Sequence, residues 1–395
     1  MIAGWCLSYL SKYSTKNHIQ STQTEGNKNC YTGVIIILSF IFFFIGLRFA
    51  ITLLNFISNP KLTRTRKRYH DKVSILIPAR NEENNILSLL ESINKQDYTE
   101  YEVIVLDDDS TDRTRQICSE FAALHPNFRV IEGKPLPENW LGKNYACFQL
   151  AGNATGKYLL FLDADERIAS GLINSGIHRM NARKLSLLSL FTTQEMITTG
   201  EKTVVPLMYY LLLNLLPIRL IYRAKNPAFG VASGQFMLFD AVTYKLHQWH
   251  KTVCNKVVED VEIMKLVKAA GCKGESLMAN GLISCRMYSG YYEAVNGFSK
   301  NFLAVFNYRI PLFIVYLLSL IGGPLIIIAT LNLPLIIIMC SLIILTRFMI
   351  SDLSGQSLTY NTLLHPLQMV SLVVIGIVAI YKHLTNTLRW KGRDV

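Results

Sequence analysis

Residues 73–112 read VSILIPARNEENNILSLLESINKQDYTEYEVIVLDDDSTD, and this stretch decides the fold. Val73–Ile77 and Val103–Leu106 are short apolar runs rich in β-branched residues, the pattern of strands buried on both faces. Between them, Glu83–Lys95 carries Ile86, Leu89, Leu90 and Ile93 at helical spacing. A third apolar run, Tyr158–Leu162, ends at Asp163. Strand–helix–strand alternation predicts an α/β domain over residues 72–300 with a mostly parallel sheet. Its crossovers are right-handed, and its ligands lie at the carboxyl ends of the strands.

Outside that domain the composition changes. The 395 residues are 50% hydrophobic and only 17% charged, against about a quarter charged in a soluble domain. The deficit is concentrated in apolar blocks. Residues 1–31 form a polar segment, and residues 32–56 contain VIIILSFIFFFIGLRFAITLLNF, long enough to cross a bilayer. No small-residue cleavage site follows, so the segment reads as a retained anchor. Arg48 interrupts it, either snorkelling or facing other helices. Lys61, Arg64, Arg66, Lys67 and Arg68 follow at once and place the next domain in the cytoplasm by the positive-inside rule. Residues 204–222 are apolar but broken by Pro206, Asn214 and Pro217, which favours a helix lying at the membrane interface. Residues 311–382 form a C-terminal membrane region with spans expected near 311–330, 333–350 and 364–381, before a basic tail at 383–395. Three spans would put that tail outside, against the positive-inside rule; the alternative is that one segment is re-entrant. The expectation is a multi-pass protein of the cell membrane with a cytoplasmic catalytic domain.

The net charge of +12 sits beside these apolar blocks, pointing to an anionic membrane surface rather than to nucleic acid. The eight cysteines form no C-x-x-C pair, which excludes a zinc module and a dense disulfide framework.

The candidate chemistry lies behind the strands. Pro78-Ala79-Arg80-Asn81-Glu82-Glu83 follows the first strand and either lines a ligand crevice or caps a helix at Asn81. Asp107-Asp108-Asp109-Ser110-Thr111-Asp112 follows the second; Ser110–Thr114 suits a turn before a helix, leaving Asp107 and Asp108 for a ribose, a base or a cation. Asp163-Ala164-Asp165 follows the third, and its two carboxylates suit one Mg²⁺ or Mn²⁺ that also binds a diphosphate. Glu259 and Asp260 precede a helical stretch at 262–270, and either serves as a general base or complements the helix dipole. Lys143 is a candidate nucleotide contact, Arg286 a candidate diphosphate or acceptor contact, and Gln235 a candidate wall of the acceptor pocket. His247 and His250 read as a surface pair rather than as metal ligands.

Taken in order, IPARNEE, VLDDDSTDRT, FLDADE, SGQF and VVEDVEI resemble the family 2 inverting glycosyltransferases, which have the GT-A type fold. WLGKNYAC, RMY, GFSKN and RWKGR are similar to the bacterial carotenoid glucosyltransferase subgroup, which includes the hydroxychlorobactene and diaponeurosporenoate enzymes. The resemblance implies that Pro78, Ala79 and Glu82 border the nucleoside and that Asp108 meets the base or ribose. It further implies that Asp163 and Asp165 serve a metal–diphosphate, that Lys143 contacts the nucleotide, and that Asp260 is the catalytic base. Asp109 stands where the family commonly has glycine. The Gln-x-x-Arg-Trp element of processive synthases is replaced by Ile283-Ser284-Cys285-Arg286-Met287, which disfavours a polymer product and a ceramide acceptor. The implied activity is transfer of a hexose from a UDP-hexose to a membrane lipid of carotenoid type. A polyprenyl phosphate or glycerolipid acceptor is the alternative. A non-catalytic membrane scaffold would predict damaged metal and base positions, and both are intact.

Overall fold

The computed structural model describes residues 32–306, 308–385, 389–390 and 393–394. The polar segment 1–31 and residues 386–388, 391–392 and 395 of the basic tail lie outside them. The chain divides into two compact units, the residues up to Arg48 with Val315–Ile343, and Phe49–Ile314 with Ile344–Val395.

The second unit carries the α/β fold. Its strands are β1 (Val73–Ala79), β2 (Tyr101–Asp107), β3 (Phe128–Glu132), β4 (Tyr158–Leu162), β5 (Glu166–Ile168), β6 (Leu187–Phe191), β7 (Thr193–Gln194), β8 (Phe236–Asp240), β9 (Gly274–Met278) and β10 (Ile283–Cys285). A seven-stranded sheet has the order β3-β2-β1-β4-β8-β6-β9, and β5-β10-β7 form a small second sheet. In the large sheet only β8 runs against its neighbours β4 and β6; the other four pairings are parallel. The chain runs outward from β1 to β3, then returns to place β4 on the other side of β1. That reversal opens a crevice at the carboxyl ends of β1 and β4.

Register levels the strand ends around that crevice. Ala79 pairs with Asp107, and Leu162 with Phe236, so the loops after β1, β2 and β4 and before β8 share one rim. The helix Ile86–Asn94 buries Ile86, Leu89, Leu90 and Ile93 against the sheet, as the spacing predicts. It begins three residues later than the sequence suggests, and Asn81 is not its cap. With φ at +53°, Asn81 instead accepts a hydrogen bond from the Thr111 amide at 2.8 Å, tying the loop after β1 to the loop after β2. The helix after β2 starts at Thr114, at the end of the Ser110–Thr114 turn, with Asp112 accepting from the Thr114 amide at 3.0 Å.

The reading of 204–222 as a helix on the membrane surface is revised. The segment forms helices Thr199–Val204, Pro206–Leu215 and Arg219–Arg223, and Val204, Leu207, Tyr209, Tyr210, Leu213, Ile218 and Ile221 are buried in the protein. Its helix ends are capped from the C-terminal end of the first apolar helix. Asn55 Nδ2 donates to the Leu213 and Leu216 carbonyls at 2.8 and 2.9 Å, and Asn55 Oδ1 accepts from the Ile218 amide at 2.8 Å. In return, Arg219 donates to the Ser58 and Asn59 carbonyls, at 2.9 and 3.0 Å. Carbonyls left over at helix ends need such partners, and Pro217 ensures that the helix cannot continue to supply them.

Among the described residues, four helices are long and apolar enough to cross a membrane: Thr32–Ser58, Ile310–Ala329, Leu333–Ser354 and His365–Leu384. The three C-terminal ones match the three expected spans. Many of their large apolar side chains face outward, Ile36 at 63% and Phe43 at 67% exposure among them, which in water would be a large uncovered patch. Ile310–Ala329 is widened to a π-helix at Leu318–Gly322, just before Pro324, which has no amide hydrogen to donate. In the first unit Ile41, Ile45, Ile327 and Met339 form the core. Arg48 is buried 5.5 Å from the Phe44 ring, so it faces protein rather than snorkelling.

Candidate active site

The rim of the crevice gathers the charged residues. Glu259 and Asp260 open the helix Glu259–Ala269 and reach Lys143 and Gly234. The Lys143 ammonium lies 2.8 Å from Asp163 Oδ1 and 3.2 Å from Glu259 Oε1. Burial pulls that ammonium down, but the Asp163 and Glu259 carboxylates more than reverse the effect and hold it well above the usual lysine value.

Asp260 is fixed by two amides. Gly234 N–H donates to Oδ2 and Val261 N–H to Oδ1, both at 2.8 Å. Burial, then the charge of Glu259, push its carboxyl up to about 7, although Lys143 and the two amides oppose the shift. A carboxylate poised near neutral pH suits proton abstraction. Gly234 explains the close approach: a Cβ there would stand 3.2 Å from both Glu259 Oε1 and Lys143 Nζ.

Asp163 donates its amide to the Gln235 carbonyl at 3.3 Å, locking the end of β4 to the start of β8. The Gln235 side-chain oxygen accepts from Thr192 Oγ1 at 2.9 Å, so the residue braces the rim from inside. Asp165 lies deeper, where burial, then Asp163, push its carboxyl up to about 6, and Glu82 adds to the effect. The Cys285 thiol donates to Asp165 Oδ2 at 3.2 Å. Glu166 sits beside them, fully buried, and burial, then Asp165, push its carboxyl well above the usual range. Among the described residues, Asp165, Glu166 and Cys285 are the group whose ligand atoms come within 4.8 Å of one another. The donor set fits a divalent cation: half-buried Asp165 and buried Glu166 present carboxyl oxygens side by side, burial and mutual repulsion raise the pKa of both, and Asp163 adjoins them.

The residues expected to face a nucleotide lie at and just after the ends of β1 and β2. Ala79 is buried at the end of β1, next to half-buried Pro78, and its carbonyl accepts from the Asp108 amide at 2.8 Å. Asp107 and Asp108 are both buried, and Asp107 Oδ1 has no hydrogen-bond partner. The Glu82 amide donates to Thr114 Oγ1 at 2.7 Å. Arg286 is not gathered with Lys143 and Asp163; its guanidinium donates at 2.9 Å to Glu201, a fully buried residue at the start of Thr199–Val204. The histidines do not form a surface pair either. His250 is buried against Tyr244, whose hydroxyl lies 2.7 Å from Nδ1, and burial drops its pKa to about 3, while His247 stacks on Trp249 at 4.2 Å.

Residues 74–244 match the model of the family described as glycosyl transferase family 2. The match lies within the α/β domain. Several relatives of the chain are 4,4'-diaponeurosporenoate glycosyltransferases. That of Staphylococcus haemolyticus is 28% identical over 232 residues, 58% of this chain and 60% of its own length. That of Staphylococcus aureus strain N315 is 38% identical over 104 residues, 26% of each chain. The chain thus spans less than two thirds of the length of these relatives. Among solved structures, a mannosyltransferase from Pyrobaculum calidifontis in complex with GDP-Man and Mn2+ superposes with a TM-score of 0.52 at 17% identity. That superposition covers 88% of this chain and 99% of the other, and it supports the GT-A type fold.

Two site features escape a reading of the sequence alone. Glu166 directly follows the Asp-x-Asp pair but looks like an ordinary strand charge. Cys285 is 120 residues distant from Asp165 and resembles any scattered cysteine.

Proposed function

We propose that this protein transfers a hexose, with inversion, from a UDP-hexose to an oxygen of a membrane-resident lipid of carotenoid type. The single observation that carries the reading is Asp260. Two amides aim this half-buried carboxylate, and it is poised near pH 7 beside the Lys143–Asp163 pair at the strand ends. The acceptor oxygen attacks the anomeric carbon, the bond from that carbon to the diphosphate oxygen breaks, and the acceptor proton passes to Asp260. Lys143 is placed to offer positive charge to the diphosphate, exchanging part of its contact with Asp163 and Glu259 for phosphate oxygens. Pro78, Ala79 and Asp108 would border the nucleoside, and Gln235 would wall the acceptor side. A divalent ion, Mg²⁺ or Mn²⁺, held by Asp165 with Asp163 adjoining, would neutralise charge on the departing diphosphate.

The lipid acceptor rests on the four apolar helices and on the similarity to 4,4'-diaponeurosporenoate glycosyltransferases. The basic stretch Lys61–Arg68 supports a cytoplasmic catalytic domain in a multi-pass arrangement. Membranes containing the protein, supplied with radiolabelled UDP-glucose, Mn²⁺ and an extract of carotenoid acids and alcohols, should yield a labelled apolar glycoside. Asp260→Asn should lower that yield at least 100-fold. Full activity in Asp260→Asn would remove Asp260 from the reaction, and no transfer to any lipid would overturn the acceptor class.

A further inference from the structure

Asp165, Glu166 and Cys285 come together because β5 and β10 pair antiparallel with Cys285 opposite Glu166, while Asp165 immediately precedes β5. The Cys285 sulfur lies 3.2 Å from Asp165 Oδ2, and one ligand atom from each of the three residues lies within 4.8 Å of the others. A four-coordinate ion with bonds of about 2.0–2.3 Å sets its ligand atoms roughly 3.5 Å apart. The cluster is therefore close to the spacing of a partial coordination shell.

Glu166 gives an independent sign of a ligand site. It is 1% exposed, and among the described residues neither carboxylate oxygen has a hydrogen-bond partner beyond the weak approach of the Cys285 thiol. Leaving a buried carboxylate so poorly partnered is costly, and a bound cation is one way to remove the cost. The Lys143 ammonium, whose charge reaches Glu166, is already engaged by Asp163 and Glu259. Cys285 is a free, buried cysteine, so its sulfur is available to a metal and shielded from solvent.

We propose that Asp165, Glu166 and the Cys285 thiolate form a mixed oxygen–sulfur site that binds Mn²⁺, Co²⁺ or Zn²⁺ in preference to Mg²⁺. The ion's catalytic role rests on the glycosyl-transfer reading, but its coordination does not. A sulfur ligand disfavours Mg²⁺, which takes oxygen almost exclusively, and suits the softer ions. On binding, the thiol proton is released to solvent as the sulfur–metal bond forms.

The test uses the full-length protein in detergent, stripped of metal and then loaded with one equivalent of Co²⁺ or Zn²⁺ alone. The cobalt form should show a thiolate-to-cobalt charge-transfer band in the near ultraviolet, and Cys285→Ser should lose it. X-ray absorption of the zinc form of the unmutated protein, which requires no folded variant, should show a sulfur neighbour at about 2.3 Å. Mg²⁺ should compete with Co²⁺ at least 100-fold more weakly than Mn²⁺ does. A zinc shell of oxygen and nitrogen only, or a charge-transfer band that survives in Cys285→Ser, would overturn the proposal. Either result leaves Mn²⁺-supported sugar transfer standing. Zinc–sulfur scattering in a protein that transfers no sugar with any ion would instead overturn the proposed function and keep the site.

Discussion

Asp260 and Lys143 carry the sharpest residue-scale consequences. Burial and Glu259 push the Asp260 carboxyl up to about 7, and a base acts only when ionised. Transfer to a hydroxyl acceptor should therefore rise with pH through about 7 and level off above 8, as a kcat/KM profile would record. Transfer to a carboxylate acceptor, already ionised at pH 6, should lack that rise, so the profile also reports the acceptor class. Replacing Lys143 by Met removes a charge-assisted contact, an interaction of about 1.5–3 kcal/mol. The KM for the donor should climb roughly 10- to 100-fold with a smaller change in kcat; an unchanged KM would place Lys143 away from the diphosphate. Asp109 makes a prediction about stability instead. Its φ is +59°, a left-handed conformation that glycine adopts freely and that other residues hold at a cost of about 1–2 kcal/mol, less for Asp. This conformation is also why the family commonly has glycine there. The side chain is mostly exposed, and its 3.4 Å pairing with Arg80 adds little. Asp109→Gly should hold or slightly raise the unfolding temperature with activity retained, whereas Asp109→Val should lower it by several degrees.

At the scale of elements, the parallel sheet depends on a close approach at the end of the strands opposite the site. A Cβ on Gly156 would stand 2.6 Å from the Ser74 amide nitrogen and 2.9 Å from the Lys72 carbonyl, and neither backbone atom can yield without moving β1 from β4. Gly156→Ala should cost about 1–3 kcal/mol or more, read as a lower unfolding temperature, while the surviving folded fraction keeps its kcat. An unchanged unfolding temperature would contradict the tight β1–β4 packing. The elements legible in the sequence were those whose own residues carry the signal. β1, β2, β4 and the helix after β1 announce themselves through apolar runs and helical spacing, and the motif residues fall at strand ends because parallel strands place ligands there. What remained hidden depends on partners distant in sequence. Antiparallel β8 was one such element, since direction leaves no mark on a short apolar run. The pairing of Cys285 with Glu166 was another, because it requires the small second sheet to form. The burial of 204–222 was a third: its prolines and apolar residues are equally compatible with a membrane surface and with a protein interior.

For the whole molecule, the question is how an apolar helix and a catalytic domain become one cooperative structure. Asn55 is a decisive link within the second unit. It lies near the end of the first apolar helix, is 1% exposed, and makes three hydrogen bonds to the segment 213–218. That segment follows Tyr209, whose hydroxyl donates to the Thr192 carbonyl, and Thr192 in turn donates to the Gln235 amide beside Asp163. A chain of hydrogen bonds thus runs from the end of the apolar helix to the rim of the crevice. Removing the Asn55 amide leaves the Leu216 carbonyl and the Ile218 amide without the partner described here and the Leu213 carbonyl with only the 3.5 Å approach of the Thr52 hydroxyl, at about 1–3 kcal/mol for each lost partner that water cannot replace. Asn55→Ala should remain in the membrane fraction after alkaline extraction, because the apolar helices are untouched. In detergent its unfolding temperature should fall by several degrees, and limited proteolysis should open the chain near residues 216–218. Asn55→Asp, which keeps the acceptor for Ile218 but loses both donors, should fall between the two. Equal unfolding temperatures for all three proteins would show that the apolar helix and the catalytic domain unfold independently.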